Sequence, residues 1–259
     1  MINNNFDLKN KTIILTGSEG FLAKNFIGEI LNHNGKLILL DKKSKKKYYN
    51  KNISFFKCDL SSEKSVRKVF LKIKKNFNVP DILINNAALN PSVNEIKKND
   101  FSLENFSFKY WEKDLKNSLT SAFLCTKYFG KFKSNKKRCI LNISSDLGLV
   151  APNQNIYKNK KKSNFKPVSY SVSKHGIIGL TKYTSTFWNK NNIRCNAVAF
   201  GGVYRNQNNT FVKKISKLIP LGRMAKHNEY NATIIYLISD ASSYMNGAVL
   251  TVDGGRTAW

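Results

Sequence analysis

Tyr170 and Lys174 stand four residues apart in Tyr170-Ser171-Val172-Ser173-Lys174, a spacing that puts both on one face of a helix. A phenol with a pKa near ~10 is a poor base at neutrality, and an ammonium beside it favours the phenolate. Such a pair could take a proton from a hydroxyl or return one. Upstream, Asn142-Ile143-Ser144-Ser145 closes a strand-like run, so Ser145 can reach the same edge of a sheet. Alone, the pair reads as a surface tyrosine and a solvated lysine. Taken with Thr16-Gly17-Ser18-Glu19-Gly20-Phe21-Leu22-Ala23, it does not. That stretch lies between a strand-like run and a helix-like one. Gly17 and Gly20 allow a tight turn and a close backbone approach, and a helix start offers free N–H groups to a pyrophosphate. Asp41, 24 positions beyond Gly17, falls at the end of the next strand-like run. A carboxylate there accepts hydrogen bonds from both hydroxyls of an adenosine ribose and repels a 2′-phosphate, which predicts NAD over NADP. Lys42 and Lys43 keep NADP open, because a cation there could neutralise Asp41 or reach a phosphate.

These groups need a scaffold that brings them to one edge. Thr12–Leu15 and Lys36–Leu40 read as short buried strands, with Leu22, Phe26, Ile27, Ile30 and Leu31 at helical spacing between them. Strands follow at Ile53–Phe56, Ile82–Ile84, Cys139–Ile143 and Arg194–Ala199. Helices are predicted over Val66–Phe77, Trp111–Phe132 and Ser169–Asn189. Continuous apolar strands alternating with helices predict a doubly wound parallel sheet covered on both faces, a three-layer α/β/α domain spanning 1–259. Ligands of such sheets bind beyond the carboxyl ends of the strands. Two long polar stretches, 89–109 and 147–168, follow strands and are expected to overhang that edge.

The 259 residues are 41% hydrophobic, ample for one core, and mean hydropathy is −0.39. No apolar run approaches the ~18–20 residues that cross a bilayer, and the opening MINNNFDLKN does not resemble a signal peptide. Cys58, Cys125, Cys139 and Cys195 are widely spaced and predict buried thiols in a reducing compartment, hence a cytoplasmic protein. His33, His175 and His227 are scattered, so no metal is expected. The net charge is +28. Its densest runs, at 42–47, 136–138 and 158–162, fall where loops are expected and lack interleaved aromatic residues. They read as solvated loops, and nucleic acid is not an expected partner.

Over essentially its whole length the sequence resembles the short-chain dehydrogenases/reductases, in their short single-domain, Rossmann-like branch. The marks are TGSEGFLA at 16–23, Asp41, Cys58-Asp59-Leu60, Asn85-Asn86-Ala87-Ala88, NISS at 142–145, YSVSK at 170–174, Phe200-Gly201-Gly202-Val203 and Val252-Asp253-Gly254-Gly255. The resemblance implies an oxidoreductase that interconverts a secondary alcohol and a ketone. Tyr170 would be the general acid/base, Lys174 would lower its pKa and hold the nicotinamide ribose, and Ser145 would position the substrate oxygen. It further implies cofactor contacts from Gly17, Ser18, Gly20, Phe21, Leu22, Asp59, Leu60, Asn86, Ala87, Ala88, Gly201 and Val203, and a homodimer or homotetramer. Several positions depart from the family. Phe21 stands where this branch has glycine, and Gly17-x-x-Gly20-x-x-Ala23 is closer to the sugar-nucleotide epimerases and dehydratases. Ser118 aligns with the asparagine of the family's proton relay, and Phe200 with its proline. Ser145 and Tyr170 are 25 positions apart, longer than usual. A weaker resemblance, to enzymes of flagellin and surface-sugar modification, implies an anionic sugar substrate met by Lys158, Lys160, Lys161, Lys162, Lys166 and Arg205. The alternatives are an epimerase or dehydratase, and a non-catalytic cofactor-binding or nucleic-acid-associated protein.

Overall fold

The computed structural model describes residues 4–44, 50–91, 100–158 and 164–259. Seven strands form one parallel sheet: β1 (Thr12–Thr16), β2 (Lys36–Asp41), β3 (Ile53–Lys57), β4 (Ile82–Asn85), β5 (Arg138–Ser145), β6 (Ile193–Phe200) and β7 (Val249–Val252). Their spatial order is β3-β2-β1-β4-β5-β6-β7, with every pairing parallel. The order reverses beside β1, so β1 and β4 open a crevice at their carboxyl ends where a ligand can sit. The predicted doubly wound sheet is the one observed.

Strand periodicity divides the core. Ile13 and Leu15 of β1 point into one apolar cluster with Phe26, Ile30 and Ile234, while Ile14 points into the other with Val66, Phe70 and Phe129. Helix α1 (Ala23–Asn32) covers the first face through Ala23, Phe26, Ile27 and Ile30. Helix α2 (Glu63–Asn76) covers the second through Val66, Val69, Phe70 and Ile73, and the Ser62 hydroxyl accepts from Ser65 N at its start. All eight residues of β5 are buried. The four cysteines are free and buried, as read from the sequence.

The helix expected over 111–132 is interrupted. Helix α3 (Phe108–Leu115) passes through one π-helical turn, Lys116–Thr120, into α4 (Ser121–Gly130). Helix α5 (Val168–Phe187) packs on β5 and β6 and beside α3. Three elements beyond β6 had not been read from the sequence: α6 (Asn209–Ser216), α7 (Asn231–Ile238) and β7. Among the described residues no helix is long and apolar enough to cross a membrane, and no cluster of three or more His, Cys, Asp or Glu could hold a metal ion.

Candidate active site

The turn after β1 is built for a close approach. Gly17 has φ +64°, and a Cβ placed on it would lie 2.8 Å from Ala87 Cα, at the end of β4. Only glycine meets both demands. The Asn86 amide donates to Thr16 O at 3.0 Å and Gly17 O at 3.1 Å, while Thr16 Oγ1 accepts from Asn86 N and Ala87 N. Asn86 therefore works as a strut under the turn. The Ser18 hydroxyl is buried, with no hydrogen-bond partner among the described residues. Gly17 and Gly20 on the cleft wall, with the start of α1 just beyond them, fit a pyrophosphate at this turn. Phe21 neighbours them, with the Arg205 guanidinium 5.2 Å from its ring centre.

Asp41 fixes the far end. Its Oδ2 accepts from Glu19 N at 3.0 Å and its Oδ1 from Lys42 N at 2.7 Å. The Lys42 ammonium turns instead to Asp59 Oδ1 and Asn117 Oδ1, both at 3.2 Å. That cation is spent on Asp59 rather than on Asp41.

A cleft of about 710 Å³ runs from this turn to the carboxyl ends of β5 and β6. Gly17, Gly20, Phe21, Leu22, Asp41 and Leu60 line its first half, and Asn86, Ala87 and Ala88 its middle. Ser145, Tyr170, Lys174, Gly201 and Val203 line the second half. Three expected residues are not on the wall. Ser18 lies beneath the turn, the Asp59 carboxylate is held by Ser61 and Lys42, and Ser118 is buried behind the cleft.

Ser145 ends β5. Its hydroxyl donates to Asp146 Oδ1 at 2.7 Å, accepts from Leu147 N at 3.2 Å, and faces the Tyr170 phenol. Tyr170 and Lys174 share the first turns of α5, as their spacing predicted, and both are buried. The Lys174 ammonium donates to Ile143 O at 2.9 Å and lies 5.7 Å from the centre of the Tyr170 ring. In this structure the phenol does not follow the simple expectation of a depressed pKa. Burial pushes it up to about 12; Ser145 and Arg205 oppose the rise, and Asp146 and Asp114 add to it. Burial also pushes Lys174 down to about 8, which leaves it mostly protonated at pH 7 beside a neutral phenol.

Ser118 lies in the π-helical turn. Its hydroxyl donates to Asp114 Oδ1 at 2.9 Å and accepts from Leu89 N at 3.1 Å, and Asp114 Oδ2 also accepts from Ser169 at 2.6 Å. Its hydrogen-bonding capacity is thus given to the packing of α3 against α5 and the β4 loop. On the opposite wall, the Tyr230 ring stacks on Phe200 at 3.9 Å, and the Tyr230 hydroxyl donates to Gly201 O at 3.0 Å. That stack fixes the loop after β6 where the family has proline.

The described parts of both long stretches reach the cleft, through Asn90 and Pro91 and through Leu147, Tyr157 and Lys166. Of the expected basic rim, Lys160, Lys161 and Lys162 lie outside the described residues. Lys158 is not on the cleft wall, and Lys166 is buried inside the cleft rather than on a rim. Sequence reasoning missed Asp114 and the buried ion pair of Asp146 with Arg256. Asp114 sits one helical turn before Ser118, and Asp146 directly follows Ser145, so both were adjacent to residues already singled out. Arg256 carried no signal.

A family model described as enoyl-(acyl carrier protein) reductase matches residues 40–257. The NADH-dependent L-xylulose reductase of Ambrosiozyma monospora is 30% identical, with 95% of this chain and 94% of that protein covered. The 2-dehydro-3-deoxy-D-gluconate 5-dehydrogenase of Bacillus subtilis (strain 168) is 29% identical, with 96% of each covered. Among solved structures, a short-chain dehydrogenase from Leptospira borgpetersenii with bound NAD+ superposes with a TM-score of 0.88 at 26% identity, covering 99% of this chain and 96% of that one. The chain belongs to the single-domain short-chain dehydrogenases/reductases, and it is an oxidoreductase acting on CH–OH groups.

Proposed function

We propose that the protein interconverts a secondary alcohol and a ketone on a sugar-derived anion, using NAD in preference to NADP. The observation that carries this reading is the meeting of Ser145, Tyr170 and Lys174 in one cleft with the Gly17 turn and Asp41 at its other end. Ser145 holds the substrate oxygen. Tyr170 takes the hydroxyl proton in oxidation and returns it in reduction, with Lys174 beside it to favour the charged form. The chemistry supplied by a bound nicotinamide is hydride acceptance or donation at the substrate carbon. The Asp41 carboxylate, free of the Lys42 ammonium, supports a ribose with two hydroxyls and disfavours a 2′-phosphate. Arg205 on the wall near Tyr170 supports an anionic substrate, as does the sugar-acid dehydrogenase among the relatives. Assembly as a homodimer or homotetramer is the companion proposal, with exposed Phe123, Tyr183 and Phe187 on α4 and α5 as the covered surface.

Fluorescence titration with NADH and NADPH, followed by turnover on aldonates, sugar phosphates and nucleotide sugars, tests the reading. Tighter NADH binding is expected. Tyr170→Phe keeps the ring and its packing, so its melting temperature stays near that of the wild type while turnover falls about 10²–10⁴-fold. Intact turnover in that variant would end the assignment.

A further inference from the structure

Lys166 comes from the second long stretch, yet its side chain is only 7% exposed. Its Nζ donates to Asn90 Oδ1 at 2.8 Å and lies 3.9 Å from the centre of the Tyr170 ring, closer than Lys174 at 5.7 Å. One side chain clamps its backbone: Lys166 N donates to Gln154 Oε1 at 2.8 Å, and Gln154 Nε2 donates to Lys166 O at 3.5 Å. Pro167 and α5 follow at once, so the lysine and the tyrosine are fixed to one rigid start. Burying an amine is costly unless something compensates it. The ion pairs found among the described residues do not include Lys166. Its partners are a neutral amide and an aromatic ring.

A cation over a ring is attracted by the ring's quadrupole. When a phenol loses its proton, the negative charge spreads into that ring and the attraction grows. We propose that Lys166 is a positioning residue for Tyr170, sharing with Lys174 the task of steadying the ring and making its phenolate easier to form. This rests on the reading of Tyr170 as the acid/base group. The charged groups facing the pair are Asp146 from the end of β5, Asp114 from α3, Arg205 from the loop after β6 and Lys174 from α5. Arg256 pairs with Asp146, and the Tyr157 phenol also faces the site. Burial holds Lys166 down at about 7 and Lys174 at about 8 while Tyr170 is held up at about 12. Across 3.9 Å a phenolate and an ammonium favour each other, so the proton of the phenol and that of Lys166 are linked. A protonated Lys166 favours the phenolate and a neutral one does not, so deleting the amine moves the phenol to higher pH.

The test uses the full chain saturated with NAD+. The phenolate is followed by ultraviolet difference titration, with the Tyr170→Phe spectrum subtracted to isolate Tyr170. Lys166→Met should raise the midpoint by about one unit or more, at least about tenfold less phenolate at a given pH. Lys166→Arg should restore it. Asn90→Ala, which frees the ammonium from its anchor, should shift it the same way by less, and serves if the methionine variant does not fold. An unmoved midpoint in the folded variants overturns the proposal, as does an arginine variant that behaves like the methionine one. An unmoved midpoint with weaker D-gluconate binding would assign the lysine to the substrate and equally overturn it. Wild-type turnover in Tyr170→Phe would instead remove the reading beneath, whereas a dead Tyr170→Phe with an unmoved Lys166→Met removes only the role of the lysine.

Discussion

Ser145 carries more than a substrate contact. Its one proton goes to Asp146 in this structure; turned to Tyr170 it would steady the phenolate, and Ser145 is among the few influences drawing the phenol down against burial. Ser145→Ala leaves Asp146 with Arg256 and Leu147 N, so the fold should lose only about 1 kcal/mol. The effect on Tyr170 has a definite sign. Loss of a hydroxyl that can donate to the phenolate raises the phenol further. The limb of kcat/KM that requires phenolate should move to higher pH, and the plateau should fall about 10²-fold, by analogy with removing one donor from a developing oxyanion. A pH–rate profile checks both. A fallen plateau with an unmoved limb would show that the serine serves the substrate alone.

At the scale of elements, the Gly17 turn is the least replaceable part. Gly17→Ala places a Cβ at φ +64° and 2.8 Å from the Ala87 backbone, and neither strand can retreat without breaking the β1–β4 pairing. The variant should lose about 1–3 kcal/mol in chemical denaturation and bind NADH at least about tenfold more weakly. The strands and helices around this turn were legible because buried parallel strands write continuous apolar runs, and α1 and α2 show one apolar stripe each. The π-helical turn at Lys116–Thr120 was not. A single widened turn leaves no mark in composition, and it is the turn that carries Ser118. Helix α7 and strand β7 are short, eight and four residues, and apolar runs of that length do not declare their period. Tyr170, Lys174 and Ser145 were legible through spacing and position. Lys166 was legible only as one charge in a basic stretch. Its burial is made by Asn90, 76 positions away, and contacts at that separation are not written locally.

At the scale of the whole molecule, a net charge of +28 repels itself, while the Asp146–Arg256 ion pair is sealed inside. Added salt screens exposed charges, so the melting temperature should rise between low ionic strength and about 0.5 M NaCl, where the screening length falls to a few ångströms. The Asp146–Arg256 pair is different. It joins residues 110 positions apart, and both side chains are almost fully buried, 4% and 7% exposed. It ties the segment after β7 to the end of β5, directly against Ser145. Arg256→Met keeps much of the apolar stem but leaves the Asp146 carboxylate buried with only Ser145 and Leu147 N, a loss of about 3–5 kcal/mol. Asp146→Asn combined with Arg256→Met removes both charges and should recover part of it, because much of the single-variant cost is an uncompensated charge. Salt separates the two effects. Screening reaches surface lysines but scarcely a buried carboxylate, so 0.5 M NaCl should raise wild type and Arg256→Met alike and leave the gap between them unchanged. A gap that closed with salt would place the pair in contact with solvent and the two ends of the site on independent supports.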